Sequence, residues 1–148
     1  MKDETFYTLH RHWIWCEVIK DNLDKELRFK YPGLTGAFDE FYLPSRRGAY
    51  KAIWYGLLYS VLETLKESNI DIEPIQSDVA DIYQSLRNYR NAVFHPQPKY
   101  WSDKICTFIN DKAADDKIQK IHEGLRNFFF EELVKRKPPF TYRYEIIP

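Results

Sequence analysis

Apolar residues recur at three- and four-residue intervals along most of the chain, the period of an amphipathic helix. From about Glu4 to Phe29 the stripe reads Phe6, Leu9, Trp13, Cys16, Leu23 and Leu27, with Lys20 interrupting it. Tyr31-Pro32-Gly33 then stops the helix, since proline cannot continue it and glycine frees the turn. A loop is expected up to Pro44, with a short helical turn around Phe38 to Tyr42. Ser45 is placed to cap a second helix. In that helix Tyr50, Ile53, Trp54, Leu57, Leu58, Val61, Leu62 and Leu65 hold one face for four turns. Ser68 to Gln76 is polar, carries Pro74 and reads as a connection.

Ser77 is placed to cap a third helix, and Asp78 and Asp81 suit the positive end of its dipole. Its predicted buried face is Val79, Ile82, Tyr83, Leu86 and Val93, and Pro96 and Pro98 end it. Trp101, Ile105, Phe108 and Ile109 suggest a short helix. A last long helix is expected from about Asp115, with the stripe Ile118, Ile121, Leu125, Phe128, Phe129 and Leu133. Pro138 and Pro139 close it. From Phe140 to Ile146 the pattern switches to period two, a strand signal with no second strand to pair with. That tail, 138–148, is expected as an extended strap across the helices or onto a partner subunit. Four long amphipathic segments with short connections predict an all-α, antiparallel four-helix bundle, one domain over 1–148.

Composition fits one self-supporting core: 148 residues, 44% hydrophobic and 30% charged, which excludes disorder. No apolar run approaches the ~18 residues that cross a bilayer, so no membrane role is expected. The N-terminus lacks the apolar core of a signal peptide, and Cys16 and Cys106 form neither a disulfide framework nor a metal spacing. A cytoplasmic location is the resulting expectation. Lys and Arg total 22 against 22 Asp and Glu, so any nucleic-acid surface must be local. The aromatic content, 17%, supplies either a core of large rings or stacking platforms for bases.

One segment breaks the core pattern. Counting along the third helix, Leu86 is followed by Arg90 and then Val93, so a guanidinium stands where the period asks for an apolar group. Such a group must reach solvent or a carboxylate; Glu63, Glu17 and Asp81 are the candidates. Asn88, Asn91 and His95 form a polar stripe beside it. Histidine is the side chain suited to proton transfer near neutral pH.

The run Arg90-Asn91-Ala92-Val93-Phe94-His95 resembles the signature of the HEPN superfamily, all-helical domains of toxins, defence effectors and nucleotidyltransferase partners. That signature is an arginine, four to six residues and a histidine at the end of the third main helix, often with a polar residue after the arginine. Arg90, Asn91 and His95 match it, and the order of helices matches it over roughly the whole chain. The resemblance implies a metal-independent, cofactor-free endoribonuclease. His95 would shuttle the proton, Arg90 would clamp phosphate oxygens, and Asn91 would orient the imidazole or donate to phosphate. It also implies a homodimer in which two protomers bring their motifs to one groove. RNA is then the partner bound, with an antitoxin or a nucleotidyltransferase as the protein partner.

Arg87, Asn88 and Lys99 are the candidates for holding substrate, with Lys104 nearby and Arg46, Arg47 and Lys51 opening the second helix. Tyr89, Tyr100 and Trp101 would offer stacking faces, and are equally placed to be core rings. Tyr100, Trp101 and the tail are the candidate dimer contacts.

Two other readings stay open. One is a non-catalytic binding or assembly module of the same fold, which the balanced charge favours. The other is an unrelated helical protein in which Arg90 merely pairs with a core carboxylate. The remaining inventory is quiet. His10 and His12 are two apart, not at metal-ligand spacing, and His122 reads as a hydrogen-bonded histidine at the core edge. Cys16 and Cys106 read as packing residues, and five glycines without a glycine-rich phosphate loop exclude a P-loop enzyme.

Overall fold

A computed structural model describes residues 2–28, 43–95, 98, 99 and 102–136. Within them the chain is all-helical, with no strand. The elements are α1 (Asp3–Arg28), α2 (Leu43–Glu67), a 3-10 turn (Glu73–Ile75), α3 (Gln76–Phe94), the short α4 (Asp103–Ile109) and α5 (Lys112–Lys135). The turn expected around Phe38 to Tyr42 and the tail 138–148 lie outside the described residues.

α1, α2 and α3 run antiparallel in turn. Glu26 near the end of α1 pairs with Arg46 at the start of α2 (2.7 Å), while Lys20 in α1 reaches Trp54 further along α2. The Phe94 ring at the end of α3 lies on Gly56 in α2, and Tyr83, earlier in α3, is 3.4 Å from Tyr59. In the same way α5 runs against α1. Phe129 packs on Phe6 (5.9 Å between ring centres), Trp13 packs on His122 (4.5 Å), and Arg136 binds Asp3.

Buried positions follow the period on α1, where Phe6, Leu9, Trp13, Cys16 and Leu23 face inward. Lys20 keeps its place on that stripe by bending out, its ammonium 2.6 Å from Asp24 and 5.2 Å from the centre of the Trp54 ring. Leu27 does not join the core; it is 57% exposed in the last turn.

The buried face of α2 is rotated from the expected one. Trp54, Tyr55, Leu58, Tyr59, Val61, Leu62 and Leu65 are buried, whereas Ile53 is exposed and Tyr50 and Leu57 are half-buried. Two tyrosines widen the face because their hydroxyls find partners at its edge. Tyr55 donates to Asp115, and Tyr59 donates to Glu63 at 2.7 Å.

Helix starts also differ from expectation. Ser45 lies inside α2, which begins at Leu43; Pro44 sits in the first turn, where its missing N–H breaks no helical bond. Ser77 lies inside α3, which begins at Gln76 straight from the 3-10 turn, with no side-chain cap. α5 starts earlier than Asp115, at Lys112, because Asp111 caps it by accepting from the Ala114 N–H at 3.1 Å. α2 ends where Asn69 adopts φ 53°, and the Ile70 N–H reaches back to the Leu65 carbonyl (2.9 Å), a Schellman stop.

Candidate functional site

The candidate residues occupy the last turns of α3. Its inward face is Ile82, Leu86, Tyr89 and Ala92, with Val79, Tyr83 and Val93 half-buried. The core position after Leu86 is therefore Tyr89, not Arg90. The Tyr89 ring lies 5.6 Å from Tyr55 and 5.0 Å from Phe108, and burial pushes its hydroxyl up to about 12. Tyr89 is thus a core ring rather than a stacking face. Tyr100 and Trp101 lie outside the described residues.

With Tyr89 turned inward, Arg90 falls on the edge of α3 that faces α2. It is half-buried, its guanidinium carbon 5.6 Å from the centre of the Tyr59 ring. An arginine over a tyrosine face is held by the ring's quadrupole and keeps its fork open to other acceptors. Arg90 also donates from an NH1 nitrogen to Asn91 Oδ1 at 2.9 Å. None of the three expected carboxylates reaches it. Glu63 accepts from Tyr59, Glu17 holds Arg126 in a two-pronged pair (2.8 and 2.9 Å), and Asp81 pairs with Lys117 at 2.6 Å. A half-buried guanidinium on an aromatic face requires no buried counter-charge, which removes the reason for expecting one.

His95 closes the helix. Its backbone is extended (φ −116°, ψ 131°), its N–H binds the Asn91 carbonyl at 3.1 Å, and its residue surface is exposed. The last turn thus carries Arg90, Asn91 and His95, with Asn91 bonded to the other two through its side chain and its carbonyl. Arg87 and Asn88 are exposed on the preceding turn, Asn88 accepting from Gln84 at 3.1 Å, and Lys99 is exposed beyond the helix. Phe94, 53% exposed, lies between Arg90 and His95 in sequence and rests on Gly56, where the missing Cβ lets the ring approach α2.

The basic residues that open α2 are occupied. Arg46 pairs with Glu26, Arg47 donates to the Glu26 carbonyl at 3.2 Å, and Lys51 pairs with Asp115 at 2.7 Å. Only Arg87, Lys99 and Lys104 add exposed positive charge near the motif in sequence, and among the described residues they enter no ion pair.

A second polar group lies in the core. His122 is buried and accepts from the Trp54 indole N–H on Nδ1 at 3.1 Å, which puts its own proton on Nε2. That nitrogen is 3.4 Å from Glu17 Oε1, without hydrogen-bond geometry. Burial lowers the imidazole to about 4, against the opposite pull of Glu17. Cys16, 4.0 Å from Nδ1, has its thiol pushed far up by burial, so it is no nucleophile. Sequence reasoning placed His122 at the core edge; the structure places it fully inside.

A groove of about 460 Å³ lies elsewhere, between the end of α2 and the start of α3, lined by Leu62, Leu65, Ile72, Val79 and Tyr83. Among the described residues no group of histidine, cysteine and carboxylate side chains is arranged to hold a metal ion, and no helix is long and apolar enough to cross a membrane. No family model, curated protein or solved structure matches the chain.

Proposed function

We propose that the chain is an endoribonuclease of the HEPN type, an antiparallel four-helix bundle whose site is Arg90, Asn91 and His95. The observation that carries the reading is the turn that joins them: an arginine fork laid on Tyr59 and bonded to Asn91, next to an exposed histidine. Cleavage of RNA by its own 2′-hydroxyl needs a group that moves a proton and a cation over the charge that develops on phosphorus. His95 moves the proton. Arg90 offers its remaining donors to the non-bridging oxygens, and the bond it donates to Asn91 Oδ1 fixes the plane of the fork. Asn91 therefore positions the guanidinium in this proposal, rather than the imidazole. Arg87, Asn88 and Lys99 hold the flanking backbone. A second copy related by a two-fold axis would supply the second histidine, acting as acid while the first acts as base.

The proposal is tested with purified protein and a structured RNA. His95→Ala and Arg90→Ala are each expected to abolish cleavage with the helical circular dichroism unchanged. Cleavage that survives His95→Ala removes the mechanism. A second reading, a non-catalytic binding or assembly module, is favoured by one observation: Arg46, Arg47 and Lys51 are tied down within the chain, which leaves little basic surface for RNA. RNA left intact by the wild type at enzyme excess would select it.

A further inference from the structure

α1 carries a second apolar stripe that no part of the described chain covers. Opposite its core face, Ile14 is 43% exposed, Trp15 48% and Val18 52%. The groups around them repeat every seven residues. One series is Glu4, Arg11, Val18 and Lys25; the other is Tyr7, Ile14, Asp21 and Arg28. Residues seven apart share a helix face, so the two series line one seam, with the apolar Ile14 and Val18 at its middle and charges toward both ends.

We propose that this seam joins α1 to the α1 of a second copy of the chain, packed antiparallel about a two-fold axis between Ile14 and Val18. In an antiparallel seam each position of one series meets a position of the other. The register that puts Val18 on the partner's Ile14 then puts Arg11 on the partner's Asp21 and Glu4 on the partner's Arg28. All of the pairs are complementary, and the two-fold repeats each of them. A parallel seam would instead set Arg11 on Arg11 and Lys25 on Lys25, so charge selects the antiparallel order.

Within the chain, among the described residues, Glu4, Arg11, Asp21, Lys25 and Arg28 are exposed and none is in a salt bridge. Arg11 only lies over its neighbour Trp15, at 5.5 Å. The helix of 26 residues is ~39 Å long, enough for the whole seam. The face contains none of the α3 residues of the proposed RNA site, so the two ideas fail separately.

Sedimentation equilibrium at micromolar concentration tests the interface. The wild type is expected to be dimeric or larger, and Val18→Asp to halve its mass while the helical signal stays as it was. Arg11→Asp alone sets like charges together at both ends and is expected to weaken association about tenfold or more. Adding Asp21→Arg is expected to restore it. A monomeric wild type, a mass unchanged by Val18→Asp, or a double variant no tighter than the single one would each overturn the proposal.

Discussion

Lowering the pH from 7 to 4 should destabilise this protein through His122 in particular. Burial among Trp13, Trp54 and Cys16 depresses the imidazole from its ordinary 6.5 to about 4. Above pH 6.5 neither the folded nor the unfolded chain protonates it, and it contributes no pH dependence. Below 6.5 the unfolded chain binds a proton that the folded chain refuses, so stability falls as the pH drops. The loss is fully developed only once the pH has passed below the folded value. At about 1.36 kcal/mol per pH unit, the interval from 6.5 to about 4 amounts to about 3 kcal/mol.

His10, also lowered by burial, acts with the same sign, and the Asp115 and Glu132 carboxylates, held below their usual range, lose their contribution at lower pH still. These groups remain in a His122→Gln variant, so the difference between the two proteins isolates His122. Urea unfolding followed by tryptophan fluorescence, repeated from pH 7 to 4, measures that difference. The wild type should lose about 3 kcal/mol more than the variant over this interval. Parallel curves would refute the reasoning, as would an imidazole resonance of His122 that titrates near 6.5 in the folded protein.

Two glycines separate a tight contact from a loose one. A Cβ at Gly124 would overlap the Ile75 side chain, which is buried, so Gly124→Ala should cost about 1–3 kcal/mol in thermal or denaturant unfolding despite the gain in helix propensity. A Cβ at Gly56 would overlap the exposed Phe94 ring, which can swing outward, so Gly56→Ala should change stability by less than about 1 kcal/mol. Cys16 is fully buried with its thiol pushed up, whereas Cys106 is half-buried. A thiol reagent should therefore label Cys106 alone in the folded protein and both cysteines in denaturant; rapid labelling of Cys16 in the native state would show that the α1–α2 core opens.

Periodicity located α1, α3, α4 and α5 because each buries one narrow stripe, and a narrow stripe is what three-and-four spacing encodes. Periodicity also located α2, with Trp54, Leu58, Val61, Leu62 and Leu65 buried as expected, but the rest of its face differs for a physical reason. It touches α1 on one side and α3 on another, and its buried face is too broad for a single stripe to describe. Tyr55 and Tyr59 fill the extra width, and tyrosine carries no sign in a binary pattern: the ring prefers the core and the hydroxyl prefers a partner. Only the fold decides that Asp115, 60 residues along the chain from Tyr55, supplies one of those partners, while Glu63 supplies the other from within α2. Caps failed where the chain entered a helix by another route. Ser45 and Ser77 have the right chemistry, but a proline in the first turn and a preceding 3-10 turn moved the starts ahead of them.

The same ambiguity explains the misplacement at the candidate site. Counting from Leu86 in steps of four and three makes Arg90 a core residue; counting in steps of three gives Tyr89 and Ala92, which are the residues that are buried. The two counts differ by one residue, a rotation of about 100° around the helix. A buried Arg90 would have needed a carboxylate and would have been explained by the fold. At the edge of α3, on the face of Tyr59 and bonded to Asn91, it needs none. The core of α3 is complete with Ile82, Leu86, Tyr89 and Ala92, so Arg90 and Asn91 are not needed to fill it. The catalytic role we propose for Arg90, Asn91 and His95 is favoured by the fork laid on Tyr59 and held by Asn91 at the open end of the helix.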